Sequence, residues 1–154
     1  MGKAPTGSRQ ASVIDRLYMT EALKEARTAL EQGEVPVGAV ITHRRQLVGR
    51  AHHQTHALKD PTAHAAMIAI TQAATAVGDR WLAPAAVYVT AKPCRMCEGA
   101  LALAGVEQVV YGAGATAPKP PASTSTGRAL ASECDALLTA YRRRRRQRKQ
   151  LTLS

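Results

Sequence analysis

Thirty of the 154 residues are alanine and none is phenylalanine, and this limits the possible folds more than any other feature of the chain. Aromatic residues make up only 3%, with 13 Leu and 11 Val as the main larger aliphatics. A core made of such small side chains fills to native density only if helices lie close to one another and to any sheet. A chain of this length suits one domain that buries roughly 70% of its unfolded surface, so it needs no covalent staples and cannot form two large domains. No apolar run approaches the roughly 18 residues of a membrane span. Residues 1–10 are small and polar, without the apolar stretch of a secretory signal, so the expected location is the cytoplasm.

Hydrophobic periodicity orders the elements. Ile14, Leu17, Tyr18, Ala22, Ala26, Ala29 and Leu30 recur at helical spacing, and Gly33 stands where a helix C-terminal cap belongs. Residues 35–42 and 47–52 read as two strands of a hairpin turning at 43–46. Asp60, Pro61 and Thr62 signal a helix start, and the helix is expected from about Ala63 to Val77, stopping at Gly78. A third strand at 85–90, a helix from Cys94 to Ala104 ending at Gly105, and a fourth strand at 107–111 complete an α/β pattern. Residues 1–12 are expected to be disordered, and 112–127, rich in Gly, Pro, Ser and Thr, to be a flexible linker with at most one short strand at 122–126. The domain proper is then 13–141. Its last helix carries Leu130, Cys134, Leu137, Leu138 and Tyr141 on one face and continues into the basic extension 142–154.

Charge is unevenly placed. The run RRRRRQRK at 142–149 holds seven of the ten net positive charges: Arg142, Arg143, Arg144, Arg145, Arg146, Arg148 and Lys149. Such a block attracts polyanions, nucleic acid first and acidic lipid second, or is simply a solvated helix end.

Three cysteines cannot form a disulfide framework. Cys94 and Cys97 are spaced i, i+3 at the start of a helix, which puts both sulfurs on one side, and a helix N-terminus lowers thiol pKa values. This spacing serves thioredoxin-like redox pairs as well as metals. His64, also at a helix start, tips the balance, because a redox pair gives it no role. One imidazole and two thiolates form a three-donor site whose fourth tetrahedral position is open, the arrangement of catalytic zinc with one ion per chain.

The segments GEVPVGAV at 33–40, DPTAHA at 60–65 and PCRMC at 93–97 resemble the zinc-dependent cytidine deaminase superfamily, specifically its bacterial tRNA-specific adenosine deaminases. The resemblance spans about 15–112 and returns weakly at 131–141. It implies a three-layer fold with a mixed sheet of four to five strands flanked by helices. It also implies zinc on His64, Cys94 and Cys97, hydrolytic conversion of adenosine to inosine in a tRNA anticodon stem-loop, and a homodimer. The family places glutamate two residues after the histidine, where this chain has Ala66. That glutamate shuttles protons between water, the ring nitrogen and the leaving amine, so its loss implies a slowdown of roughly 10²–10⁴ or more. Glu98, one residue past Cys97, is expected to point about 100° away and not to substitute. His53 stands where the family has a nucleoside-contacting Asn, Lys92 replaces a Glu, and 112–127 is shorter than the family's connection. Two alternatives follow: a catalytically silent RNA-binding zinc subunit, for which the partner would be an active paralogue, or a deaminase of a free nucleobase or nucleoside.

Overall fold

A computed structural model of the chain describes residues 11–114 and 125–153. The chain order is α1 (Val13–Glu31), β1 (Gly38–His43), β2 (Gln46–His52), α2 (Ala65–Val77), β3 (Ala85–Ala91), α3 (Arg95–Leu103), β4 (Val106–Ala113), β5 (Ser125–Arg128) and α4 (Ala131–Leu151). The five strands form one mixed sheet in the order β2-β1-β3-β4-β5. β1 runs antiparallel to β2 and β3, whereas β3, β4 and β5 are mutually parallel.

Alternation along the strands assigns the helices to the two faces. Ala39, Ile41, Val87 and Val89 pack with Ala65, Ala69 and Ala73 of α2 and with Leu101 of α3. Val40, Ala86, Tyr88 and Val110 face the other way, toward Met19, Ala22 and Leu23 of α1 and Cys134 of α4. β1 and β3 are therefore covered on both sides, which is why they read as unbroken apolar runs. The alanine-rich composition has its expected result. At Gly49 an added Cβ would lie 2.6 Å from the Ala69 carbonyl oxygen, so α2 rests on β2 at backbone distance.

The helix stops follow the glycines: Gly33, Gly78 and Gly105 all take left-handed φ values of 77–78°. Several boundaries differ from the expectation. α1 starts with a full capping box, in which Ser12 and Asp15 exchange hydrogen bonds, so Ser12 is ordered. Residues 1–10 lie outside the described residues. β1 begins at Gly38 because Glu34, Val35 and Pro36 are taken up by the approach to the sheet. Asp60 and Thr62 form their own turn through the Asp60 side chain and do not cap α2, which starts two residues later than expected with His64 as N-cap. The span 112–127 is not all linker: Gly112 and Ala113 belong to β4, and the last strand is Ser125–Arg128, later than 122–126. Residues 115–124 lie outside the described residues. α4 is continuous from the domain into the basic run. No described helix is long and apolar enough to cross a membrane.

Candidate metal centre

Two helix starts meet beyond the C-terminal end of the central strand β3. His64 is the N-cap of α2 and Cys94 the N-cap of α3, both in extended backbone, and neither side chain is used to cap its own helix. The side chains are therefore free to turn toward each other. His64 Nδ1 lies 3.6 Å from Cys94 Sγ and 3.6 Å from Cys97 Sγ. All three donor atoms fall within 4.8 Å of one another. Zinc at tetrahedral angles, with Zn–S about 2.3 Å and Zn–N about 2.0–2.1 Å, requires S···N separations of about 3.6 Å. The donors thus fit zinc in both type and spacing. Cys94 is exposed and Cys97 buried, so the site opens to solvent on the Cys94 side.

The Cys97 thiol does not follow the simple helix-terminus expectation. Burial pushes the Cys97 thiol up to about 12, and neighbouring Cys94 adds to the shift. Desolvation outweighs the helix dipole here, and a bound dication is what would hold Cys97 as a thiolate.

His53 stacks on His64, with ring centroids 4.7 Å apart and planes at 24°. Its Nδ1 accepts a hydrogen bond from the Ala65 N–H at 3.0 Å, so the proton of the neutral ring is on Nε2. Burial, reinforced by His64, lowers its pKa to about 4. His53 is thus a support for the ligand histidine and for the start of α2. Its neighbour His52 points elsewhere, bonded to Glu25 of α1 and to Gln32, the C-cap of that helix.

Ala66 is 3% exposed, on the second residue of α2. Glu98 is half-buried on α3 and is not among the converging donors. Lys92, at the end of β3, places its ammonium 5.7 Å from the Tyr111 ring centre, and the Arg128 guanidinium lies 5.5 Å from the same ring. Arg142, Arg143, Arg144, Arg145, Arg146, Arg148 and Lys149 are all exposed on α4 and are not part of the centre.

Glu34 was not among the residues singled out from the sequence. It is 1% exposed, and its carboxylate accepts the Ala57 N–H at 2.8 Å, the His56 N–H at 3.1 Å and the Thr55 hydroxyl at 3.4 Å. Burial by itself would raise its pKa, but these donors and the nearby His56 ring outweigh it and hold the carboxyl below its ordinary value. Glu34 therefore anchors the loop that leads from His53 to α2. The available signal was one acid directly ahead of the apolar run VPVGAV, where a charge is retained only if it is paired.

Residues 12–113 match the model of the cytidine and deoxycytidylate deaminase zinc-binding region. Over 99 residues the chain is 48% identical to the tRNA-specific adenosine deaminase of Bacillus subtilis, covering 64% of this chain and 62% of that protein. It is 44% identical over 96 residues to the enzyme of the same name from Aquifex aeolicus, covering 62% of this chain and 64% of the relative. The matched part thus spans a little under two thirds of the length of these curated relatives. A solved structure from studies of A-to-I editing by tRNA deaminases at the wobble position superposes with a TM-score of 0.73 at 33% identity, covering 79% of this chain and 99% of that one. The guanine deaminase of Bacillus subtilis superposes with a TM-score of 0.60 at 30% identity, covering 62% of each chain. With its three donors in place on this fold, the chain belongs to the cytidine and deoxycytidylate deaminase zinc-binding family.

Proposed function

We propose that this chain binds zinc and a tRNA anticodon stem-loop in the manner of tRNA adenosine deaminases, but converts adenosine to inosine very slowly because Ala66 supplies no proton shuttle. The observation that carries the reading is a buried alanine two residues after His64, which converges with Cys94 and Cys97 as a three-donor set. The 44–48% identity to tRNA-specific adenosine deaminases supports the substrate class.

When bound in such a three-donor site, zinc supplies a Lewis acid and lowers the pKa of water, the chemistry that hydrolytic deamination needs. His64, Cys94 and Cys97 hold it, and His53 braces the ring of His64. Hydrolysis replaces the exocyclic C–N bond with C=O and releases ammonia. Protons must pass from water to a ring nitrogen and to the departing amine. Ala66 can accept and return none of them, and Glu98 does not converge on the donors. Losing one such group costs roughly 10²–10⁴ in rate, about 3–5 kcal/mol of barrier.

The test is Ala66→Glu, assayed for inosine in an anticodon stem-loop. The variant should be at least a hundredfold faster than the chain with Ala66, at similar RNA affinity. Equal rates would sink the shuttle argument, and no inosine from either protein would remove tRNA adenosine as the substrate. A second reading, a silent subunit that lends RNA affinity to a second copy or to a paralogue carrying the glutamate, is favoured by Met96 and Leu103. These lie exposed along α3 as an apolar edge for a partner. Its check is the mass of the zinc-loaded protein in solution, alone and mixed with such a paralogue. On either reading the site of action is that of tRNA, the cytoplasm.

A further inference from the structure

We infer that the α4 extension is a one-sided clamp for the phosphates of an RNA stem, set apart from the metal centre; the choice of RNA rests on the function proposed above. α4 starts just after the C-terminal end of β5, at the same end of the strands as Cys94, because β3, β4 and β5 are parallel. It then runs back over β4 and α1. Its last domain contacts are Cys134, Leu137 and Leu138, with Tyr141 half-buried, and every residue from 142 to 150 is exposed. At 1.5 Å per residue, Arg142 lies about 17 Å and Lys149 about 27 Å along the axis from Ala131. The extension therefore lies on the α1 face of the sheet and points away from the end that carries Cys94, so its cations are set apart from a base seated at the metal centre.

The extension has a preferred side. Arg142, Arg145, Arg146 and Lys149 fall within an arc of about 100° on the helix and together line a depression of about 380 Å³. Arg143, Arg144 and Arg148 project on the rest of the circumference. Among the described residues none of these seven cations is ion-paired, although Arg50 on the domain pairs with Glu21. Four unpaired cations around one hollow suit a row of phosphates, and arginine forks match phosphate oxygens two at a time. The sequence from 142 to 150 has no apolar residue. Leu151, exposed at the end of α4, stands about 180° from Arg142 around the helix, so the four-cation side lacks the greasy face with which a helix enters a bilayer and the anchors that centre a protein interface.

The experiment measures binding of a labelled anticodon stem-loop by the zinc-loaded full chain across 50–200 mM salt. One variant carries Arg142→Gln, Arg145→Gln, Arg146→Gln and Lys149→Gln, and a second carries Arg143→Gln, Arg144→Gln and Arg148→Gln. Glutamine keeps helix propensity, and circular dichroism with zinc content checks the fold. Four phosphate contacts give the parent a log–log salt slope steeper by about 3 to 4, so the first variant should lose that slope and bind about a hundredfold more weakly at the low-salt end. The second variant should change the slope by less than about one, and binding of the free nucleoside should be the same in all three proteins. Equal losses in the two variants overturn the one-sided clamp, and no loss in either overturns RNA binding by the extension. Loss of binding to phosphatidylserine vesicles with stem-loop binding intact would assign the cations to a membrane surface instead. Failure of Ala66→Glu to make inosine bears on the metal centre alone, because this readout is affinity and not turnover.

Discussion

Replacing Glu34 by glutamine should loosen the loop that leads into the metal centre, and the structure sets the size of the effect. The two carboxylate oxygens each take one backbone N–H, Oε1 from Ala57 at 2.8 Å and Oε2 from His56 at 3.1 Å. A carboxamide keeps one acceptor and turns an NH₂ group toward the other N–H, so at least one charge-assisted bond is lost and a donor faces a donor. Such bonds contribute about 1.5–3 kcal/mol each, so Glu34→Gln should cost about 2–3 kcal/mol and Glu34→Ala about 3–5. For a domain of this size that lowers Tm by roughly 4–12 °C. The pH dependence has a definite sign. The folded-state carboxyl lies below its ordinary value, so its stabilisation is complete above the unfolded value and fades as pH falls through the folded one. The gap in urea midpoint between parent and Glu34→Gln should therefore be full at pH 7 and shrink below about pH 4.5. Amide exchange should quicken at His56 and Ala57. Zinc affinity should fall roughly 10- to 100-fold, because the loop carries the His53 that braces His64. Unchanged exchange at those two amides, with equal urea midpoints at pH 7, would show that the carboxylate does not hold the loop.

The donor set predicts one zinc per chain, lost in the Cys94→Ala, Cys97→Ala double variant. Elemental analysis measures this directly, and full occupancy in that variant would remove the site. Stripping the metal should also lower Tm, because binding energy at the site is part of the folded state. At Gly38, an added Cβ would press on the Ala22 carbonyl and come within 2.6 Å of the Ala26 N. Gly38→Ala should therefore cost about 3 kcal/mol or more in urea denaturation, and a loss under about 1 kcal/mol would mean that α1 slides easily over β1.

The parts of the fold that were legible in the sequence are those in which local chemistry and tertiary packing agree. Gly33, Gly78 and Gly105 ended their helices because a left-handed residue closes a helix whatever lies beyond it. The beginnings were harder to place. Asp60 and Thr62 have ideal capping side chains, yet they bond each other, and α2 starts at His64, whose ring is turned to Cys94 and Cys97. Capping propensity names candidates, and the competing partner decides between them. The last strand was hard to place for another reason: Ser125 to Arg128 is short, and only its parallel pairing with Gln108 to Tyr111 distinguishes it from the loop text before it.

The metal centre was legible for the reason that Glu34 was not. Histidine and paired cysteines are rare, and their spacing on helix starts has few uses, so three letters sufficed. A buried glutamate that accepts backbone N–H groups from a loop some twenty residues away leaves no local pattern, because its partners are main chain and carry no side-chain signature. The same contrast separates holding from turnover at this centre. Holding a metal needs donors at the right distance, and His64, Cys94 and Cys97 supply them at 3.6 Å without any contribution from residue 66. Turnover needs a group that titrates close to them, and the buried methyl group of Ala66 is not one. On the function proposed above, metal content and RNA affinity on one side, and rate on the other, are separable, and the carboxylate restored at position 66 should change only the second.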